Sequence, residues 1–252
     1  MATWSTRRKY TYFFFFVTGL VLFIGIPTLL FLYEKPTCSD GKQNGSERGV
    51  DCGGSCTRLC PADFSDPRMV WSYSMRIVPG VYNALAYAQN PNQNVEAKSV
   101  PYTFKFYDAG GGLISERKGS VYVPPGQRFP IFEGGIQTQK EIVKTTFEFG
   151  AVTSWRAASP ITDLKVTTTH LNQGDKPNAE VVFKNISLNK SYSKIDAFII
   201  LYDAQDNRVG FSKTVVDRIN MNESQSMYFT WQEPFVRPVV RTEVLFVVRP
   251  LK

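Results

Sequence analysis

All four cysteines of this 252-residue chain, Cys38, Cys52, Cys56 and Cys60, fall in one short segment, CSDGKQNGSERGVDCGGSCTRLC. The segment carries the turn pairs Asp40-Gly41, Asn44-Gly45 and Gly53-Gly54 and almost no apolar residues, so it has no core to fold around. Four cysteines in such a segment can form two disulfides or hold a metal through thiolates. The close spacings are C-x₃-C rather than the C-x₂-C pairs common in zinc sites, which favours disulfides. Three pairings are open, and the spacing does not choose among them. The same segment gathers Asp40, Asn44, Glu47 and Asp51, hard oxygen donors of the kind calcium takes, beside the basic Lys42 and Arg48. Their spacing is not that of an EF-hand, and Asp and Asn also start turns by binding backbone N–H groups. Calcium is the one cofactor these residues suggest.

Catalytic chemistry is harder to place. His170 is the only histidine, in TTTHL, without neighbours suited to a triad or a metal site. There is no H-E-x-x-H, G-x-S-x-G or P-loop. S-x-x-K occurs at Ser115–Lys118 and Ser191–Lys194 without the S-D-N and K-T-G partners that would give it meaning. The expectation is a protein that is not an enzyme.

What positions the cysteine segment is the stretch before it. From Tyr10 to Tyr33 the chain is uncharged, and Arg7, Arg8 and Lys9 precede it. At ~1.5 Å per residue it is long enough to cross a ~30 Å hydrocarbon core as a helix. Tyr10, Tyr12 and Tyr33 lie where aromatic belts sit, and Pro27 predicts a kink near Gly25–Pro27. The apolar run exceeds a signal peptide's, and Leu32-Tyr33-Glu34-Lys35-Pro36 offers no small-residue cleavage site. The positive flank predicts a cytoplasmic tail at 1–9, a membrane helix at 10–33 in contact with lipid, and everything later outside the cell membrane. Residues 34–62 then form a disulfide-rich stalk.

The net charge is +7, and three of those charges are Arg7, Arg8 and Lys9. The exported part is only mildly basic, with Lys and Arg scattered, which argues against a nucleic-acid partner.

Beyond the stalk the chain repeats itself. Asn83-Ala84, Asn90 and Tyr107-Asp108-Ala109 recur 95 residues later as Asn178-Ala179, Asn185 and Tyr202-Asp203-Ala204. Phe147-x-Phe149 recurs 97 later as Val244-x-Phe246, so the second copy has gained two residues in a loop. Two copies are placed at 66–156 and 158–250. Tyr102, Phe104 and Phe106 alternate with Thr103 and Lys105, as do Phe147 and Phe149 around Glu148, the period of half-buried strands. Turn clusters such as Asn90-Pro91-Asn92 and Gly110-Gly111-Gly112 separate them. The fold class expected is all-β, two tandem β-sandwiches after one N-terminal transmembrane helix. Asp108 and Asp203, entering turns, are expected to accept backbone N–H bonds. One difference between the copies points to an interface. Where the first has Thr103 and Lys105, the second has Phe198 and Ile200, giving a strand apolar on both faces. Phe198 and Ile200 are therefore expected to pack against the first copy or a partner.

Two resemblances add to this reading. Cys38, Asp40, Gly41, Asn44, Gly45, Glu47, Gly49, Asp51, Cys52, Gly53, Gly54 and Cys56 match a short cysteine motif that recurs in bacterial surface proteins. Phe104-Lys105-Phe106-Tyr107-Asp108 and Ile199-Ile200-Leu201-Tyr202-Asp203 resemble the signature of FxLYD-type domains. Phe106 stands for Leu in the first, Ile199 for Phe in the second, and the second copy lacks the glycine of the later turn. The resemblance implies immunoglobulin-like sandwiches of a bacterial envelope protein, usually without assigned activity. The role expected is a surface interaction or scaffold module with a protein or cell-wall polymer partner. A carbohydrate- or ion-binding sensor, or an accessory subunit of an envelope enzyme complex, is the alternative. Exposed Tyr82, Tyr87, Tyr122 or Trp231 would favour sugar.

Overall fold

The computed structural model describes residues 4–33 and 35–249. The outer ends of the expected tail at 1–9 and of the second copy at 158–250, and the first stalk residue, lie outside these. The chain forms two compact units, Met1–Cys56 and Thr57–Lys252.

The first unit opens with α1 (Trp4–Leu20), a π-helical turn (Val21–Gly25) and α2 (Ile26–Leu32). Arg7–Thr28 is long and apolar enough to cross a membrane. The helix begins earlier than the apolar run, because Arg7, Arg8 and Lys9 are good helix formers and Arg8 stacks on the Trp4 ring at 4.1 Å. The expected kink takes the form of the π turn. Pro27 lacks an N–H and crowds the preceding turn, and wider i→i+5 bonding just before it relieves both. After the helix come turns. At Gly54 (φ +60°) an added Cβ would sit 1.8 Å from the Ser46 carbonyl oxygen, so no other residue fits.

The second unit is all antiparallel β after a 3₁₀ turn at Pro61–Asp63. Its strands are β1 (Arg68–Val78), β2 (Val81–Gln89), β3 (Val95–Tyr107), β4 (Leu113–Val123), β5 (Arg128–Gln137), β6 (Lys144–Phe149), β7 (Arg156–Ala157), β8 (Leu164–Asn172), β9 (Asn178–Asn185), β10 (Tyr192–Tyr202), β11 (Arg208–Ile219), β12 (Ser224–Thr230) and β13 (Arg241–Val248). They build sheets of order β1-β2-β5 and β4-β3-β6, with β7 on β3, and then β8-β9-β12 and β11-β10-β13. The second pair of sheets thus repeats the order of the first. Registers agree as well: Phe104 faces Phe147 as Ile199 faces Val244, and Tyr107 faces Lys144 as Tyr202 faces Arg241.

Within each pair, alternate side chains of the two sheets meet. Ala84, Ala86, Ala88, Phe104, Phe106, Phe129 and Phe147 belong to the first core. Ala179, Val181, Phe183, Ile195, Ile199, Leu201, Met227 and Phe229 belong to the second. Both are sandwich-like, with aromatic and β-branched residues inward and, on β4-β3-β6 and β8-β9-β12, mostly polar residues outward.

Candidate functional site

The residues that recur along the sequence tie loops together. Asn90 and Asn185 are wholly buried. Asn90 Nδ2 donates to the carbonyls of Val95 and Pro124, both at 2.8 Å. Asn185 Nδ2 donates to those of Lys190 at 2.7 Å and Asn220 at 2.9 Å. Each Oδ1 accepts the amide two residues on, from Asn92 and Ser187. The turn glycine that the second sandwich lacks is replaced in geometry: Gly126 (φ +59°) and Asn222 (φ +54°) both take the left-handed conformation.

Asp108 and Asp203 cap turns, as their position in the sequence predicts. Asp108 Oδ1 accepts the amides of Gly110 and Gly112, and Asp203 Oδ1 those of Gln205 and Asn207. Their Oδ2 atoms meet Lys140 at 2.9 Å and Arg237 at 3.0 Å. The Asn207 side chain, then Arg237, hold the Asp203 carboxyl far below the usual carboxylate range. An acid whose pKa falls on folding stabilises the protein above its unfolded value near 4, and this is lost as pH falls below that. Melting temperature followed from pH 5 to pH 2 should therefore fall less steeply for Asp203→Asn than for wild type, while at pH 7 the variant melts lower.

In the stalk, Cys38 is bonded to Cys56 with 5.7 Å between Cα atoms, one of the three pairings left open by the sequence. Cys52 and Cys60 are disulfide-bonded as well, and no described cysteine is free. Three of the four expected oxygen donors face backbone. Asp40 accepts the amides of Thr37 and Lys42 and the Asn44 side chain. Asp51 accepts that of Gly41, and Glu47 those of Asn44 and Asp51. Asn44 Oδ1 is shielded and accepts no hydrogen bond. Among the described residues, the acid and sulfur atoms that cluster within 4.8 Å are those of Cys38, Glu47 and Cys56, two of them spent in the disulfide. This geometry holds turns in a segment with no core. Closing an 18-residue separation contributes roughly 3 kcal/mol on a chain-entropy estimate. In Cys38→Ser/Cys56→Ser, protease cuts within 39–55 should appear while the β-sheet melting stays at the wild-type temperature.

Phe198 and Ile200 are 4% and 0% exposed, and they belong to the first sandwich's core cluster. They lie on the outer face of β11-β10-β13, with Phe211 and Leu245 as cross-strand neighbours. The sheet β1-β2-β5 turns its own outer face, Leu85, Tyr87 and Phe132, to them. The Phe132 and Phe211 rings are 6.2 Å apart, edge to face. The Tyr87 hydroxyl donates to Glu243, which also takes the Tyr202 hydroxyl at 3.0 Å. Burial and then the Glu243 charge push the Tyr202 hydroxyl up to about 12. At the rim, Arg208 lies over Trp71 at 4.8 Å. Sequence reading finds β10 but misses its partner β2. The signal was there: ALAYA at 84–88 has no polar residue on either face.

Away from the Asn90 and Asn185 loops, the two sandwiches leave a cleft of 330 Å³ between Tyr73, Met75, Arg76, Tyr82, Glu141, Trp231, Glu233 and Phe235. The Trp231 and Phe235 rings pack at 5.2 Å, Arg76, Glu141 and Glu233 reach solvent, and Val236 beside them is 96% exposed. Walls that mix polar groups with a few aromatic rings suit a partner's polar segment. The four aromatics weighed for sugar binding are all buried: Tyr82 7%, Tyr87 3%, Tyr122 8% and Trp231 7% exposed. His170 stands opposite Glu180 on the exposed strand β8. No family model matches the chain, and no curated protein matches it.

Proposed function

We propose that the chain is a single-pass, membrane-anchored surface protein, N-terminus inside, whose β ectodomain is a non-enzymatic interaction or scaffold module. The two sandwiches are read as copies of one immunoglobulin-like domain of FxLYD type in a bacterial envelope. The shared strand order and the matched Asn90/Asn185 and Asp108/Asp203 bonds support that reading. The observation that carries the functional proposal is the burial of Phe198 and Ile200 against the first sandwich. The apolar face that distinguishes the second copy is spent on pairing, which fixes a composite cleft that neither copy could form alone. Fixed spacing on an anchor raises local concentration for a partner.

The test is a photo-crosslinking amino acid at Val236, beside the cleft, in the full-length chain in its native membrane. A discrete adduct with one protein, lost on Trp231→Ala, is expected. Recovery of the chain alone overturns the scaffold reading. An adduct with wall polymer alone would instead support a sensor for a sugar or wall polymer, a reading that the burial of Tyr82, Tyr87, Tyr122 and Trp231 does not favour.

A further inference from the structure

The paired sandwiches have two unlike ends. The chain comes in at one of them, where Ser65 and Asn92 exchange two hydrogen bonds, Ser65 N to Asn92 Oδ1 at 3.1 Å and Asn92 Nδ2 to Ser65 O at 2.7 Å. The second sandwich turns its β9–β10 and β11–β12 loops the same way. Ser191 and Tyr192 share a 220 Å³ cleft with Glu96 and Tyr122, and Leu164 and Lys165 share one of 250 Å³ with Pro124 and Pro125. The far end holds the Val236 cleft.

On those second-sandwich loops Ile186 is 49%, Leu188 81% and Met221 53% exposed. The first sandwich has Pro91, Gln93 and Pro125 at the corresponding places. The apolar tips are held firmly. Asn185 ties both loops, and the Asn222 amide donates to the Ser187 carbonyl at 3.1 Å. Lys165, Lys184, Lys190, Lys194 and Arg218, the last donating to Asn220 Oδ1, lie on these loops and the adjoining strand ends, with Asp163, Asp217 and Glu223. Asp163 is engaged by the Tyr192 hydroxyl and Glu223 by the Asn220 amide. Rigid apolar tips ringed by lysines are the chemistry of an interfacial lipid contact, apolar atoms among acyl boundaries and cations on phosphate.

The tether supplies the independent argument. Cys38 follows the helix end at Tyr33 by five residues, at most ~18 Å of extended chain. The bridge to Cys56 adds 5.7 Å. Cys56 therefore lies within roughly 24 Å of the membrane boundary, and the β unit starts at the next residue. Three more residues, about 10 Å at most, bring the chain to Leu59, which pairs with Trp155, so this short tether leaves the end where the chain comes in within reach of the headgroups.

Resting on the anchor reading above, we infer that Ile186, Leu188 and Met221 dock on the bilayer surface beside the protein's own anchor, with the surrounding lysines on anionic lipid phosphates. The docked end would then hold the far cleft outward.

The experiment uses full-length protein in vesicles of phosphatidylcholine with phosphatidylglycerol. Because no described cysteine is free, one added thiol can carry an environment-sensitive dye, in Asn189→Cys, Val236→Cys or Phe31→Cys. Dye at 189 should be blue-shifted and quenched by nitroxide-labelled lipid. Dye at 236 should not, and Ile186→Ser/Leu188→Ser/Met221→Ser should abolish quenching at 189. Dye at 31 reports the anchor itself. Quenching at 31 with none at 189 overturns the docking and leaves the anchor standing. No quenching at 31 overturns both. Quenching at 189 that survives the triple serine variant overturns the role given to these three side chains.

Discussion

Asn90→Ala will cost the first sandwich on the order of 2–4 kcal/mol, and Asn185→Ala will cost the second a similar amount. Each asparagine is fully buried and donates to two carbonyls on different loops while accepting a backbone amide. Alanine leaves those groups without partners, at about 1–3 kcal/mol for each that water cannot reach. Aspartate has the same shape but cannot donate, and it would set a carboxylate against two carbonyl oxygens, so Asn90→Asp should be worse than Asn90→Ala. Urea unfolding of the full chain in micelles measures this. An Asn90→Ala midpoint equal to wild type would show that the tie carries no energy.

Phe198→Thr with Ile200→Thr should have the largest effect of all, roughly 4–8 kcal/mol from the volumes removed, less whatever the two neighbouring sites share. Both side chains are almost fully buried, and threonine also brings hydroxyls into an apolar contact. The second sandwich keeps its own inward residues Ile199 and Leu201, so the loss falls on the pairing. The expected signature is faster protease cleavage in the connecting stretch 158–163, with each sandwich still yielding protected fragments. Ile199→Thr is the contrasting variant, since it strikes the second core and should expose that sandwich throughout. Unchanged cleavage in the double variant would sink the idea that these two residues hold the pair.

Much of this architecture could be read beforehand because it rests on local patterns. An uncharged run preceded by basic residues announces a helix long and apolar enough to cross a membrane, and alternation at Tyr102, Phe104 and Phe106 announces a strand with one wet face. The fixed displacement from Asn90 to Asn185 and from Asp108 to Asp203 announced residues kept for a structural task. What it could not announce was long-range. That Cys38 joins Cys56 depends on how the turns fold back, and that Leu85 and Tyr87 meet Phe198 and Ile200 depends on which outer face turns to which. Val236 reads as an ordinary loop residue until the fold places it beside Trp231 and Phe235. The turn-capping acids of the stalk could be named from the sequence, but only coordinates show that Asp40, Glu47 and Asp51 each face a different amide.

The Cys38–Cys56 bridge also decides how the molecule carries a mechanical load. A pull on the β unit passes through Cys56 directly to Cys38 and the helix, by covalent bonds alone. Residues 39–51, with all their weak turns, hang beside that line of force. While the bridge is closed the stalk is an inextensible link. Once it is reduced, the same pull falls on turns with no core behind them, and the link can lengthen by on the order of 50 Å.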